Sequence, residues 1–267
     1  MKVFVLAMDE VLRLLSTKRG LLSLAGFALL WLAVLYYGVM PASRLFSGAS
    51  ESGIADLILS EFGLVGWQQW STPELAVYWV ASLYLLPFLA ILTAADQTAS
   101  DRSRGTLRYL VLRCARLEIF LGRYLGQLFI LLLVVLVTLG TVQGIVAVNA
   151  TEQLPAAIID SPVIIVNLML VLAPYIALMA LVSILARSAR QATLFAVIIW
   201  LAVSLLISYL KSVWPGLPLL DWVLPGSQVN QLLTLHDWQT LAFAPIPIVH
   251  TLLLLCAGAF VMRQRDL

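Results

Sequence analysis

The residues best suited to recognition chemistry lie between Asp101 and Gly126, where arginine stands at positions 102, 104, 108, 113, 116 and 123. A guanidinium presents a planar fork of donors that matches carboxylates and phosphates. Asp101, Arg102, Arg104, Gly105, Thr106, Leu107, Arg108 and Leu110 combine such charge with an apolar edge. Thr98 and Asp101 have the spacing of a helix-start capping box, Gly105 breaks that turn, and Thr106 suits the N-cap of the next one. Leu107, Leu110 and Val111 then share one side, while Arg104, Arg108 and Arg113 stay polar. The expected product is a short helix, parallel to a membrane and anchored by arginines. Charge alone does not separate a docking element for a partner from a site for anionic lipid headgroups.

No catalytic constellation accompanies it. The chain has no Gly-x-x-x-x-Gly-Lys-Ser/Thr loop for nucleotide phosphates, no His-Glu-x-x-His and no Gly-x-Ser-x-Gly. Histidine occurs only at His236 and His250, and His236-Asp237 lacks a nearby second His or Cys to complete a metal set. Cys114 and Cys256 are expected to be unpaired thiols, one in a connection and one inside a span. No metal and no cofactor is expected to be bound by this chain.

The elements that must position the arginine-rich segment are apolar. Mean hydropathy is +1.00, with 62% hydrophobic and 11% charged residues, against roughly 25% charged in soluble domains. Six stretches contain no Asp, Glu, Lys or Arg: Leu21–Met40, Leu75–Ala95, Tyr124–Val148, Val163–Ala186, Gln191–Leu210 and Leu241–Met262. Each reaches the roughly 20 residues a helix needs to cross hydrocarbon. Helices are required because lipid offers no partner for backbone groups, and the runs lack the alternation of barrel strands. The first run is too long for a cleaved signal segment and is expected to remain as an anchor. The fold class is therefore an all-α integral membrane protein with six transmembrane helices in a single domain over 1–267.

Fourteen of the sixteen Lys and Arg residues fall in the N-terminal segment, the second and fourth connections and the tail, leaving Arg44 and Lys211 opposite. The positive-inside bias then puts both termini in the cytoplasm. Residues 3–18 read as an amphipathic interfacial helix: Phe4, Met8, Val11, Leu12 and Leu15 form the apolar stripe, and Asp9 and Arg13 an i,i+4 pair. The outer segments are an acidic Ser/Gly-rich loop, Pro41–Glu74, a short loop near Asn149–Pro162, and Lys211–Thr240. The last is too apolar for a free loop and too broken by proline and glycine to span, so short re-entrant helices are expected there. Gln127, Gln143, Asn167, Gln191 and His250 are costly in lipid and should face protein or water. Helix packing is the default role, and Gln127, Gln143 and Asn167 are also the possible lining of a substrate path. Pro87, Pro174, Pro245 and Pro247 should kink their helices.

The order of residues in the arginine-rich segment resembles the signature of ABC-2 type transporter permeases, the type V exporter fold. Gly105-Thr106-Leu107, Arg116-Leu117-Glu118 and Leu121-Gly122-Arg123 follow the family order, and the tail Arg263-Gln264-Arg265-Asp266-Leu267 resembles its basic ending. The amphipathic helix resembles the family's elbow helix, the six spans its topology, and the broken outer segment its re-entrant helices. Cys114-Ala115 departs from the family's proline-containing turn, and Arg123 stands where lysine is usual.

The resemblance implies a permease subunit of an ATP-driven exporter in the inner (cytoplasmic) membrane. It implies pairing with a second permease subunit, as homodimer or heterodimer, on two copies of an ABC ATPase subunit that bind ATP and Mg. The helix around Arg102–Leu112 would couple to that ATPase. From its position alone, near the start of the third span, Glu118 is expected to brace that span on the elbow helix through Arg13 or Lys18. Membrane lipids are the remaining partners, and no nucleic acid is implied. Two other classes set the contrast. A membrane enzyme on lipid or isoprenoid substrates would need paired carboxylates, for which Asp96 with Asp101 is the best available pair. An uncoupled channel or scaffold would use the polar span residues as its path.

Overall fold

The computed structural model describes residues 2–41, 70–99, 105, 107–214, 220, 222–235 and 237–264. Among them there are helices and turns but no strand. The helices are α1 (Lys2–Ser16), α2 (Lys18–Val34), α3 (Pro73–Ala94), α4 (Leu107–Val111), α5 (Arg116–Asn149), α6 (Leu154–Leu185), α7 (Ala189–Val213), α8 (Val229–Leu232) and α9 (Pro245–Gln264). Six of these, α2, α3, α5, α6, α7 and α9, are long and apolar enough to cross a membrane. Within the expected acidic loop Glu51, Asp56 and Glu61 lie outside the described residues, as do the stretch 215–219, His236 and Arg265-Asp266-Leu267.

The core sits where α3, α5 and α6 meet, around Leu83, Leu86, Leu131, Leu168, Leu172 and Ile176, all nearly inaccessible. Helix α6 is apolar on every side and correspondingly the most enclosed span. Helix α7 is peripheral, burying only Ala192, Ala196 and Ile207. Trp31 of α2 meets the Tyr78 ring edge-on at 5.5 Å. The Tyr78 hydroxyl lies 3.2 Å from Thr138 Oγ1 and 3.4 Å from the Val135 carbonyl, so one aromatic chain joins α2, α3 and α5.

Chain breaks follow local chemistry. Thr17 turns out of helical geometry, and its hydroxyl accepts from Gly20 N–H at 3.2 Å, which separates α1 from α2. Helix α2 finishes in a π-helical turn, Leu35–Val39. Thr72 caps α3 by accepting from Leu75 N–H at 3.4 Å, with Pro73 in the first turn. Glu74, expected at the end of the loop, is in that first turn, and neither buried carboxylate oxygen has a hydrogen-bond partner among the described residues. Its place near the helix N-terminus is electrostatically favourable.

Three expectations need correction. The outer loop near Asn149–Pro162 is almost absent: α5 runs to Asn149, a 3-10 turn covers Thr151–Gln153, and α6 begins at Leu154. Pro155 starts α6 rather than opening a loop, because a first-turn residue needs no N–H. Pro245 and Pro247 likewise begin α9 instead of kinking it, whereas Pro87 and Pro174 do lie inside α3 and α6. Arg13 forms its ion pair with Glu10, at 3.1 Å and i,i+3, where Asp9 was the expected partner.

The broken segment between α7 and α9 carries α8 and a 3-10 turn, Asp237–Phe243. It is held by side chains from the spans. Trp79 Nε1 donates to the Leu232 carbonyl at 3.2 Å, Tyr175 to the Pro225 carbonyl at 3.1 Å, and Asn167 Nδ2 to Thr240 Oγ1 at 2.7 Å. Irregular backbone packed against membrane spans is tolerated when protein satisfies it. Replacing Trp79 by Phe, Tyr175 by Phe and Asn167 by Leu should cost about 1 kcal/mol each. The triple variant should become cleavable between residues 222 and 243 in limited proteolysis while the spans stay resistant.

Candidate functional site at the arginine-rich end

Of the expected coupling residues, Asp101, Arg102, Arg104 and Thr106 lie outside the described residues. Gly105 has φ +71°, a left-handed conformation that glycine adopts without strain, and α4 starts two residues later with Leu107 and Arg108 in its first turn. Leu110 is half-buried, while Tyr109 is 73% and Leu112 83% exposed. These two are large apolar side chains outside the spans.

The turn after α4 explains the missing proline. Cys114 N–H donates to the Leu110 carbonyl at 2.9 Å, and Ala115 N–H donates to Glu118 Oε2 at 2.8 Å. Proline at either position would remove a donor that is in use. Glu118 thus closes half of a capping box on its own helix. It is committed to the start of α5, and no hydrogen bond joins it to Arg13 or Lys18 among the described contacts.

Two further bonds converge on this turn. Lys2 Nζ, at the start of α1, donates to the Arg113 carbonyl at 3.1 Å. Arg116 Nη1 donates to the Arg263 carbonyl at 3.3 Å, at the end of α9. The turn is therefore tied to the first helix, the third span and the last span together.

The bracing of α1 on α5 is carried by other residues. Gly122 and Gly126, one turn apart on α5, let the α1 backbone come close. A Cβ at Gly126 would stand 2.6 Å from Glu10 Cβ and 2.9 Å from the Ala7 carbonyl oxygen. This is a small-x-x-x-small contact. Beside it Glu10, only 4% exposed, accepts through Oε1 from Gln127 Nε2 at 3.2 Å and from Arg13 Nη2 at 3.1 Å. Arg13 also donates to the Asp96 carbonyl at 2.7 Å, which brings in the end of α3. Arg123 is buried here as well, and Glu10 is the main negative charge acting on it. Thr98, expected as a cap for the segment that follows, shares a hydrogen bond with Ser183 of α6 at 2.9 Å.

Three of the five polar span residues reach across a helix interface. Gln127 holds Glu10 of α1, Gln143 holds Ser161 of α6, and Asn167 holds Thr240. Gln191 closes its own helix start by accepting from Arg187 N–H. Sequence reasoning passed over Glu10, although its i,i+3 spacing to Arg13 was visible, and over the Gly122–Gly126 pair.

The spans and their polar crossings define a multi-pass helical membrane protein whose charged end is organised around one short helix. The family model for ABC-2 family transporter proteins matches residues 5–255, and the chain belongs to that family. No curated protein matches it. The chain is therefore a transmembrane subunit of an ABC transporter, a transport component rather than an enzyme, and its kind of partner is an ABC ATPase.

Proposed function

We propose that this subunit couples ATP binding and hydrolysis in two copies of a separate ATPase to export of a substrate across or out of the cytoplasmic membrane. The observation that carries this reading is the exposed apolar pair Tyr109 and Leu112 at the α4 turn, which is tied to α1, α5 and α9. Large apolar side chains outside the lipid zone suit a protein partner. Asp101, Arg102, Arg104, Gly105, Thr106, Leu107, Arg108 and Leu110 would form the docked surface. ATP and Mg would be bound by the partner and not by this chain. A movement imposed on the turn would reach three helices at once, biasing the bundle between inward- and outward-facing states.

A second permease subunit, identical or related, would complete the assembly against the lipid-facing side of the bundle. Both termini would lie in the cytoplasm. The expected result is that the chain co-purifies with its ATPase and that the pair hydrolyses ATP. Arg104→Glu with Leu107→Asp should dissociate or uncouple that complex. A chain that ignores the ATPase, or a complex indifferent to both changes, would overturn the proposal.

A further inference from the structure

A groove of about 580 Å³ opens between α1, the start of α2, the end of α3 and α5. Its polar wall includes Glu10, Arg13, Lys18, Asp96 and Gln127 beside three hydroxyl residues. Its apolar wall includes Leu14, Leu22 and Leu92. Leu22 is 74% exposed and continues onto the lipid-facing surface of α2. One chamber thus offers charge at one side and hydrocarbon contact at the other.

Two groups in the polar wall have no hydrogen-bond partner among the described residues. Gln127 is 2% exposed; its Nε2 is used by Glu10, but its buried Oε1 has no hydrogen-bond partner. A buried acceptor left unmade costs about 1–3 kcal/mol, so a ligand that donates an N–H or O–H there would recover that cost. Lys18 is exposed, and its ammonium makes no hydrogen bond or ion pair among the described residues. Among the described residues that line the groove, the charged side chains are two of each sign, Glu10 and Asp96 against Arg13 and Lys18, and buried Arg123 lies behind Glu10.

We infer that this groove seats one phospholipid of the adjoining leaflet whose headgroup carries both a phosphate and a primary ammonium, as phosphatidylethanolamine does. The phosphate takes Lys18. The ammonium turns toward the Glu10 and Asp96 side and can donate to Gln127 Oε1. The acyl chains leave over Leu14, Leu22 and Leu92. A choline headgroup has the same charges but no N–H, and a glycerol headgroup has O–H donors without the positive charge, so the wall discriminates against both. The site stands independently of ATP coupling, since none of its residues belongs to the α4 turn.

The test is native mass spectrometry of the detergent-purified chain. The protein is first equilibrated with dioleoyl phosphatidylethanolamine, dioleoyl phosphatidylcholine or dioleoyl phosphatidylglycerol at equal concentration. Retention of one ethanolamine lipid should exceed that of the other two by about tenfold. Lys18→Glu reverses the charge at an exposed position, and Leu22→Trp fills the apolar side. Each should reduce retention by about tenfold without lowering the melting temperature of the lipid-free protein. Equal retention of the three lipids, or unchanged retention in both variants, would overturn the inference. Competition by chain-free glycerophosphoethanolamine as effective as the lipid would do so too, by pointing to a soluble phosphate ligand.

Discussion

Gly126→Ala should detach α1 from the bundle. The added methyl would meet Glu10 Cβ at 2.6 Å and the Ala7 carbonyl oxygen at 2.9 Å, and neither atom can be moved by a side-chain rotation. Overpacking of this kind costs about 1–3 kcal/mol. Here it would also pull Glu10 away from Gln127. Gly122→Ala should be only slightly milder: Leu6 Cβ at 2.7 Å is fixed to its backbone just as Glu10 Cβ is, and only the nearest carbonyl oxygen, that of Val3 at 3.1 Å, stands farther off. Gly140→Ala and Gly144→Ala on the same helix meet nothing within 4 Å. They should be neutral or slightly stabilising, because alanine exceeds glycine in helix propensity by up to about 1 kcal/mol. Thermal unfolding of the four purified variants, together with thiol labelling at an engineered Cys on α1, reads the contrast. Equal behaviour of Gly126→Ala and Gly140→Ala would show that the close approach of α1 is not made.

Glu10→Ala should be the most damaging single loss of charge. It removes the acceptor of both Gln127 and Arg13 and leaves Arg123 buried without its main opposing charge. Breaking a fully buried pair costs about 3–5 kcal/mol. Arg13 keeps 26% of its side-chain surface, so solvent screening brings the expectation down to about 2–3 kcal/mol. Glu10→Gln keeps an acceptor but loses the charge and should fall in between. Asp9→Ala, at an exposed neighbour, should be within about 0.5 kcal/mol of wild type. Denaturant unfolding in mild detergent measures the series, and a double cycle with Gln127→Leu isolates the hydrogen bond. If Asp9→Ala and Glu10→Ala are equivalent, the ion pair is not where the geometry puts it.

The six spans were legible because a run without charge has one physical meaning at this length. What escaped was how far the helices continue beyond those runs. Arg116, Glu118 and Arg123 mark the edge of the uncharged stretch, yet all three lie inside α5, whose backbone bonds continue regardless of side-chain charge. The same holds at the other end, where Asp160 and Pro162 lie within α6. The role of Glu118 was read as a long-range brace, but a carboxylate at the third position of a helix finds the free N–H groups of its own first turn sooner. The actual brace depends on Gly126 and Glu10 being side by side. They are 116 positions apart in the chain, and no local pattern connects them. Gln127, Gln143 and Asn167 stand out in the sequence as polar groups within apolar runs, while the identity of each partner is a matter of packing alone.

Helix α5 runs for 34 residues with no proline or other interruption, about 50 Å at 1.5 Å per residue. That exceeds the roughly 30 Å hydrocarbon layer by some 20 Å. Such a rod behaves as a lever. Tilting it by about 10° at the Arg116 end would carry the Asn149 end sideways by roughly 9 Å. The tight join at Ala150 hands that stroke directly to α6, with almost no slack to absorb it.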